Sequence, residues 1–200
     1  MNKKLISLGI LLFGLYISSN AANIALVPQT GQTATLPVTA PAGSDGALQK
    51  GKAWPNPRFV ADASGNCITD NLTGLMWVKD LSTVNNGSPL TWDNALAVAG
   101  SGTWCGYSDW RMPNINELRS LVNYAYASPA NWLMYGSGDY YTRACSGACF
   151  AYVPAVGWTS SSLANDTTFA WVVIMSNGGA GNRGKNSNYN IYLFPVRGGR

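Results

Sequence analysis

The sequence predicts an α+β domain, and three observations lead there. After Trp54, short apolar runs alternate with turn signals built from Gly, Asn and Asp. Two later segments carry helix-start residues ahead of an apolar period near 3.6. The chain then returns to short apolar runs. With 46% apolar and 11% charged residues in 200, it has enough material for one compact core, and disorder is excluded.

Residues 1–21 read as a secretory signal peptide. Lys3 and Lys4 precede an apolar run from Leu5 to Ile17, and Ser19 and Ala21 supply the small pair for cleavage after Ala21. That thirteen-residue run is shorter than the roughly 18 apolar residues a membrane-spanning helix needs, so an uncleaved anchor is the lesser reading. No later stretch is apolar enough to span, which leaves the mature chain without a transmembrane segment. Residues 22–53 are rich in Thr, Pro, Gly, Ala and Gln and reach their first aromatic only beyond the segment, at Trp54. They read as an extended linker or arm, either flexible or packed along the domain or a neighbouring subunit. The domain proper occupies 54–200.

Its first part predicts a β-meander: Arg58 to Ala61, a turn at Ser64 to Asn66, Cys67 to Asp70, a turn at Asn71 to Gly74, and Leu75 to Lys79. A helix follows with Thr91 as N-cap and Asp93 in its first turn, placing Trp92, Ala95, Leu96 and Ala99 on one face and stopping at Gly100. A second helix is signalled by Asn114 as cap, Glu117 three residues on as in a capping box, and the stripe Ile115, Leu118, Leu121 and Val122. Ala125 to Val156 reads as one long loop rich in Tyr, Gly, Ser and Pro. Strands are expected at Gly157 to Ser160, Phe169 to Met175 and Ile191 to Arg197. Between the last two, Ser176 to Asn190 reads as a turn-forming polar surface.

Composition narrows function. There is no His, and one Glu among nine acidic residues, so the usual proton shuttle and commonest metal ligand are missing. No catalytic, metal or cofactor site is expected. Glycoside hydrolysis would need two carboxylates in register, and Asp109, Glu117, Asp139 and Asp166 sit in no such context. Asp109 and Arg111, flanking Trp110, read as members of buried hydrogen-bonded pairs that fix a turn and helix entry, and Glu117 as a cap. Once Lys3 and Lys4 leave with the leader, 11 basic residues face 9 acidic ones. That balance gives no reason to expect nucleic acid as a partner. After Asp166 the only charges are Arg183, Lys185, Arg197 and Arg200, so that end attracts anions mildly.

An exported chain meets an oxidising compartment, where four cysteines favour two disulfides. Three pairings exist. The Ser-Gly-Ala insert between Cys145 and Cys149 favours a small closed loop there, leaving Cys67 to Cys105 as the long staple, worth on the order of 3 to 4 kcal/mol by loop closure. A thiolate metal site lacks the paired C-x-x-C units of a zinc ribbon.

The polar tail is the candidate ligand-binding surface. Asn, Ser and Tyr offer hydrogen bonds and flat area at modest entropic cost, as in antibody loops. The candidates are Asn165, Phe169, Ser176, Asn177 and Asn182, with Arg183, Asn186, Asn188, Asn190 and Tyr192.

Several motifs in order resemble one family: DNLTGLMW from Asp70 to Trp77, GYSDWRMPNINELR from Gly106 to Arg119, WTSS from Trp158 to Ser161, AW at Ala170 and Trp171, and PVRGG from Pro195 to Gly199. They resemble the Lcl C-terminal domain family, the module that ends a bacterial collagen-like adhesin. The resemblance implies a C-type-lectin-like fold, with two helices, a small antiparallel sheet and long irregular loops. It also implies a secreted or surface-exposed, adhesin-like binding module rather than an enzyme, with a glycan, envelope component or protein as ligand. The Glu-Pro-Asn and Trp-Asn-Asp tripeptides of calcium-dependent sugar-binding lectins are absent, so calcium-bridged recognition is not expected. The wider lectin-like class includes oxidases that depend on reactive cysteines, but a short structural disulfide at Cys145 and Cys149 is the simpler reading. That class also includes variable proteins of diversity-generating retroelements, and the Asn, Ser, Tyr and Gly crowding from Leu163 to Tyr192 is similar to their rewritten tails. The alternative reading is a structural subunit of an extracellular matrix or appendage, a homo-oligomer joined through the arm.

Overall fold

The computed structural model describes residues 27–36, 39–136, 145, 147–187 and 189–198. Residues 1–21, expected to be a signal peptide, and Asn188, Asp139, Arg143 and Arg200 lie outside the described residues. The fold is α+β, with two small antiparallel sheets.

The expected meander is present as β1 (Phe59–Ala61), β2 (Cys67–Asp70) and β3 (Leu75–Val78), and the C-terminal β7 (Val196–Gly198) returns to pair with β3, giving the order β1-β2-β3-β7. In register, Cys67 pairs with Val78 and Asp70 with Leu75. The second sheet has the order β4-β5-β6, from β4 (Val156–Leu163), β5 (Asp166–Ile174) and β6 (Gly179–Gly184). β6 overturns part of the sequence reading. Six of the fifteen residues from Ser176 to Asn190 form a strand, although Gly-Ala-Gly-Asn-Arg-Gly holds no β-branched or aromatic residue. Its extended form comes from the ladder with β5 rather than from propensity.

Among the described residues four α-helices accompany the sheets, the two expected ones and two more, α1 (Asp45–Leu48), α2 (Trp92–Ser101), α3 (Ile115–Arg119) and α4 (Pro129–Tyr135), with a 3-10 stretch at Leu81–Gly87. Thr91 caps α2 by backbone only, Ala95 and Ala99 face the core, and Leu96 is exposed instead of joining them. The α3 capping box is complete, with Asn114 Oδ1 accepting the Glu117 amide at 2.9 Å and Glu117 Oε2 accepting the Asn114 amide at 2.8 Å. α4 lies inside the stretch expected to be loop. Ser128 caps it, Pro129 opens it, and Trp132 and Leu133 are buried.

The core holds Trp77, Trp158, Phe59, Phe150 and Phe194 at 1% exposure or less. Indole N–H groups act as pegs into main-chain carbonyls: Trp158 donates to Leu90 at 2.7 Å and Trp92 to Thr159 at 2.8 Å. Under β1, the Arg58 guanidinium is fully buried. It pairs twice with Asp70, at 3.0 and 2.9 Å, donates to the Ser120 carbonyl at 2.6 Å and stacks 4.2 Å from the Trp54 ring. Asp70 in turn accepts the Leu72 amide and the Thr73 hydroxyl. The favoured disulfides are both present, Cys67–Cys105 and Cys145–Cys149, at sequence separations of 38 and 4.

The described part of 22–53 packs along its own domain. It doubles back through Gln29 N–H to Lys52 O, then docks where Trp54 Nε1 donates to Gln29 O at 2.8 Å and the Tyr124 amide donates to Thr30 O at 3.0 Å. Gly31, at φ +90°, allows the approach, since a Cβ there would sit 2.3 Å from Asn123 Oδ1.

Candidate functional site

β5 shows the two-residue alternation of a strand with unlike faces. Ala170 and Val172 are fully buried, and Val172 pairs with the core residue Trp158. Phe169, Trp171 and Val173 belong to the other face. At Val173 that face is covered, because its partner Gly157 lies so close to Phe194 and Leu118 that an added Cβ would sit 2.7 to 2.8 Å from them. Farther along, Trp171 and Phe169 are only partly buried. Their β6 partners are Asn182 and Gly184, with Ala180 opposite Val173. Residues paired across antiparallel strands share a face. The two aromatic side chains therefore have only small neighbours on that side.

At the Phe169 end of the hairpin a cleft of about 640 Å³ opens beside the N-terminus of α2, lined by Thr91, Asp93, Thr168, Phe169, Gly184, Lys185 and Asn186. Backbone bonds fix its walls: Trp92 N–H to Lys185 O at 2.9 Å, and Lys185 N–H to Thr168 O at 2.8 Å. The Lys185 ammonium lies 3.9 Å from the centre of the Trp92 ring and donates to Ser162 Oγ at 2.7 Å, so its charge is held in place. Asp166, at the start of β5, accepts from the Thr168 hydroxyl and amide, which hold its carboxyl below the usual range.

The expected tail residues do not form one patch. Phe169 and Asn182 share the open face, and Asn186 lines the cleft. Arg183 follows Asn182 along the strand and so belongs to the opposite face. Asn165 is exposed in the β4–β5 turn. Ser176 and Asn177 lie at the far end of the hairpin, where Asn177 Oδ1 accepts the Gly179 amide and shapes the turn. Asn190 sits exposed at φ 54°, and Tyr192 is partly buried against β4, bonded through its main chain to Val156 and Trp158. Asn188 lies outside the described residues. Trp171, Thr168 and Lys185 are the additions; Trp171 stands two residues from Phe169, and that spacing was the available signal.

Of Asp109, Glu117, Asp139 and Asp166, Asp139 lies outside the described residues and the other three are engaged elsewhere. Glu117 holds Arg111 at 2.6 and 2.7 Å as well as the α3 cap, and Asp109 holds Arg197 at 2.7 and 3.2 Å. Among the described residues no group of three or more His, Cys, Asp or Glu could hold a metal ion. Nor is any described helix long and apolar enough to cross a membrane.

The family model of the Lcl C-terminal domain matches the chain over residues 66–197. No curated protein matches the chain.

Proposed function

The chain belongs to the Lcl C-terminal domain family, and from that premise we propose that it is an exported, adhesin-like binding module that recognises its ligand through the β4-β5-β6 sheet. The single observation that carries this is the Phe169 and Trp171 pair, left open by Gly184, Asn182 and Ala180 beside a polar cleft. Flat apolar rings rimmed by amides and hydroxyls suit a ligand with apolar faces and hydroxyl edges, so a glycan is the first ligand to test, ahead of other envelope components or a protein. The role is recognition rather than catalysis, which the engagement of the carboxylates in turns and ion pairs supports. Two disulfides support a secreted or surface location. The C-type-lectin-like description of the fold and diversification by a retroelement both belong to this proposal; the latter would be tested by an adenine-substituted near-copy of the Leu163 to Tyr192 coding segment downstream.

The test is a glycan array probed with the full exported chain, with and without chelator and at two salt concentrations. Trp171→Ala should weaken binding about tenfold or more, roughly 1.4 kcal/mol or above, while the melting temperature holds. Unchanged binding in both Trp171→Ala and Phe169→Ala would dispose of the reading.

A further inference from the structure

We propose that the free edge of β6 is a strand-addition site for an extended, acidic polypeptide segment of a partner protein. This goes beyond the side-chain face just described, because it rests on main-chain groups.

β6 is an outer strand of its sheet. Its hydrogen-bonding phase follows from Lys185 N–H, which donates to Thr168 O at 2.8 Å and continues the register that pairs Phe169 with Gly184. Alternation then commits the main chain of Arg183 and Gly181 to β5 and turns that of Ala180, Asn182 and Gly184 outward. The opposite side of β5 has the matching phase, with Met175 N–H donating to Ala155 O. Two outward carbonyls are met locally: Asn182 O by its neighbour's Arg183 Nη1 at 2.8 Å, and Gly184 O by the Ser187 amide at 2.9 Å. Among the described residues the amides of Ala180, Asn182 and Gly184 have no partner, and neither does the Ala180 carbonyl. Ala180, Asn182 and Arg183 are exposed.

Proteins usually blunt such an edge with proline, a bulge or inward charges. β6 has no proline, its register with β5 is unbroken, and Arg183, folded back onto the Asn182 carbonyl, is its only large side chain, so the outward amides stay clear. Open amides at every second residue, about 6.8 Å apart, match an extended chain and not a helix. Charge selects the occupant. Arg183 lies on the edge and Lys185 just past it, and no acid occurs from Thr167 onward. The carboxylates near the Gly184 end are Asp93, in the cleft, and Asp166, already bound by Thr168. A second copy paired edge to edge would line up Arg183 and Lys185 of both chains along one seam, whereas an acidic segment would neutralise them.

The experiment pans a displayed library of unstructured segments of about eight residues, a typical strand length or slightly more, on the full exported chain. It then measures synthetic copies of the enriched sequence. Acidic, strand-forming sequences should emerge, with NMR shifts centred on the Ala180, Asn182 and Gly184 amides. N-methylation of the peptide at alternate residues should weaken binding about tenfold in one phase and little in the other. Asn182→Pro deletes an outward N–H, together with a side-chain amide of the face, without touching the ladder to β5, and should abolish peptide binding with the melting temperature held. Should that variant unfold, Ala180→Pro and the N-methylated peptides carry the same test. Arg183→Glu should invert the preference between Glu-bearing and Lys-bearing peptides. The proposal is overturned if nothing enriches, if N-methylation has no effect in either phase, if the shifts lie elsewhere, or if the edge instead mediates dimerisation. Trp171→Ala should leave peptide binding intact, so failure of the side-chain face and failure of the edge are read separately.

Discussion

Replacing Arg58 by Met tests how the domain is held together, because the guanidinium joins three parts of the fold. It spans β2 through Asp70, the end of α3 through the Ser120 carbonyl and the arm junction through Trp54. Methionine restores much of the apolar stem but removes the charge, leaving the fully buried Asp70 carboxylate with the Leu72 amide and Thr73 hydroxyl as donors. Breaking one side of such a pair costs about 3 to 5 kcal/mol. For a domain of this size that lowers the melting temperature by about 6 to 20 °C. The double variant Arg58→Met with Asp70→Asn keeps an acceptor for Leu72 and removes the stranded charge, so it should recover about 2 kcal/mol relative to the sum of the single changes. Urea unfolding followed by tryptophan fluorescence, with disulfides intact, measures all three. A cost below about 1 kcal/mol for Arg58→Met, or strict additivity in the cycle, would refute the buried-network account.

The two disulfides should differ in weight. At separations of 38 and 4, loop closure gives about 4 kcal/mol for Cys67–Cys105 and about 2 for Cys145–Cys149; paired Cys→Ala variants with urea midpoints in the reverse order would contradict this. Acid should destabilise the domain partly through Glu117. Burial pushes its carboxyl up, but bonds from Arg111 and the Asn114 amide, with the Arg111 charge, leave it below its ordinary 4.5. A lowered folded value means stability that is present above the unfolded pKa and lost as pH falls through the folded one. Thermal melts taken downward from about pH 6 should therefore show an acid limb that is shallower in Glu117→Gln, and an unchanged limb would remove Glu117 from the account. Gly31→Ala should release the arm, since φ +90° and the Asn123 contact both oppose a side chain; trypsin would then cut at Lys50 and Lys52 faster while the domain's melting temperature holds, and equal cutting rates would argue against docking.

How much of this was legible in the sequence depended on the range of the forces involved. The α3 capping box needs only Asn114 and Glu117, three residues apart, and the meander needs only turns and alternation, so both could be read locally. The start of α4 was equally local, with Ser128 as cap and Pro129 in the first turn, but the Tyr, Gly and Pro around it looked like loop. β6 could not be read, because its residues favour no strand; the neighbouring β5 imposes the form. The docking of the arm was hidden for the same reason, as Gly31 and Gln29 carry no pattern of their own and meet Asn123 and Trp54 only in three dimensions. For the candidate site, composition points only to the polar tail as a region, and neighbours in sequence such as Asn182 and Arg183 fall on opposite faces once the segment is a strand.

The smallness of β6 is one cause with two consequences. It leaves Phe169 and Trp171 only partly covered on the face, and it leaves the edge amides unobstructed. Bulk added at Gly184 would meet only the flexible amide of Asn186, at 3.1 Å, so the fold should tolerate it. A Gly184→Thr variant should therefore keep its stability yet impair both the face, by crowding Phe169, and the adjoining end of the edge. Trp171→Ala should impair only the face, and Asn182→Pro chiefly the edge. A Gly184→Thr protein with both binding activities intact would show that the small residues of β6 serve neither surface, and the recognition role would then have to lie outside the second sheet.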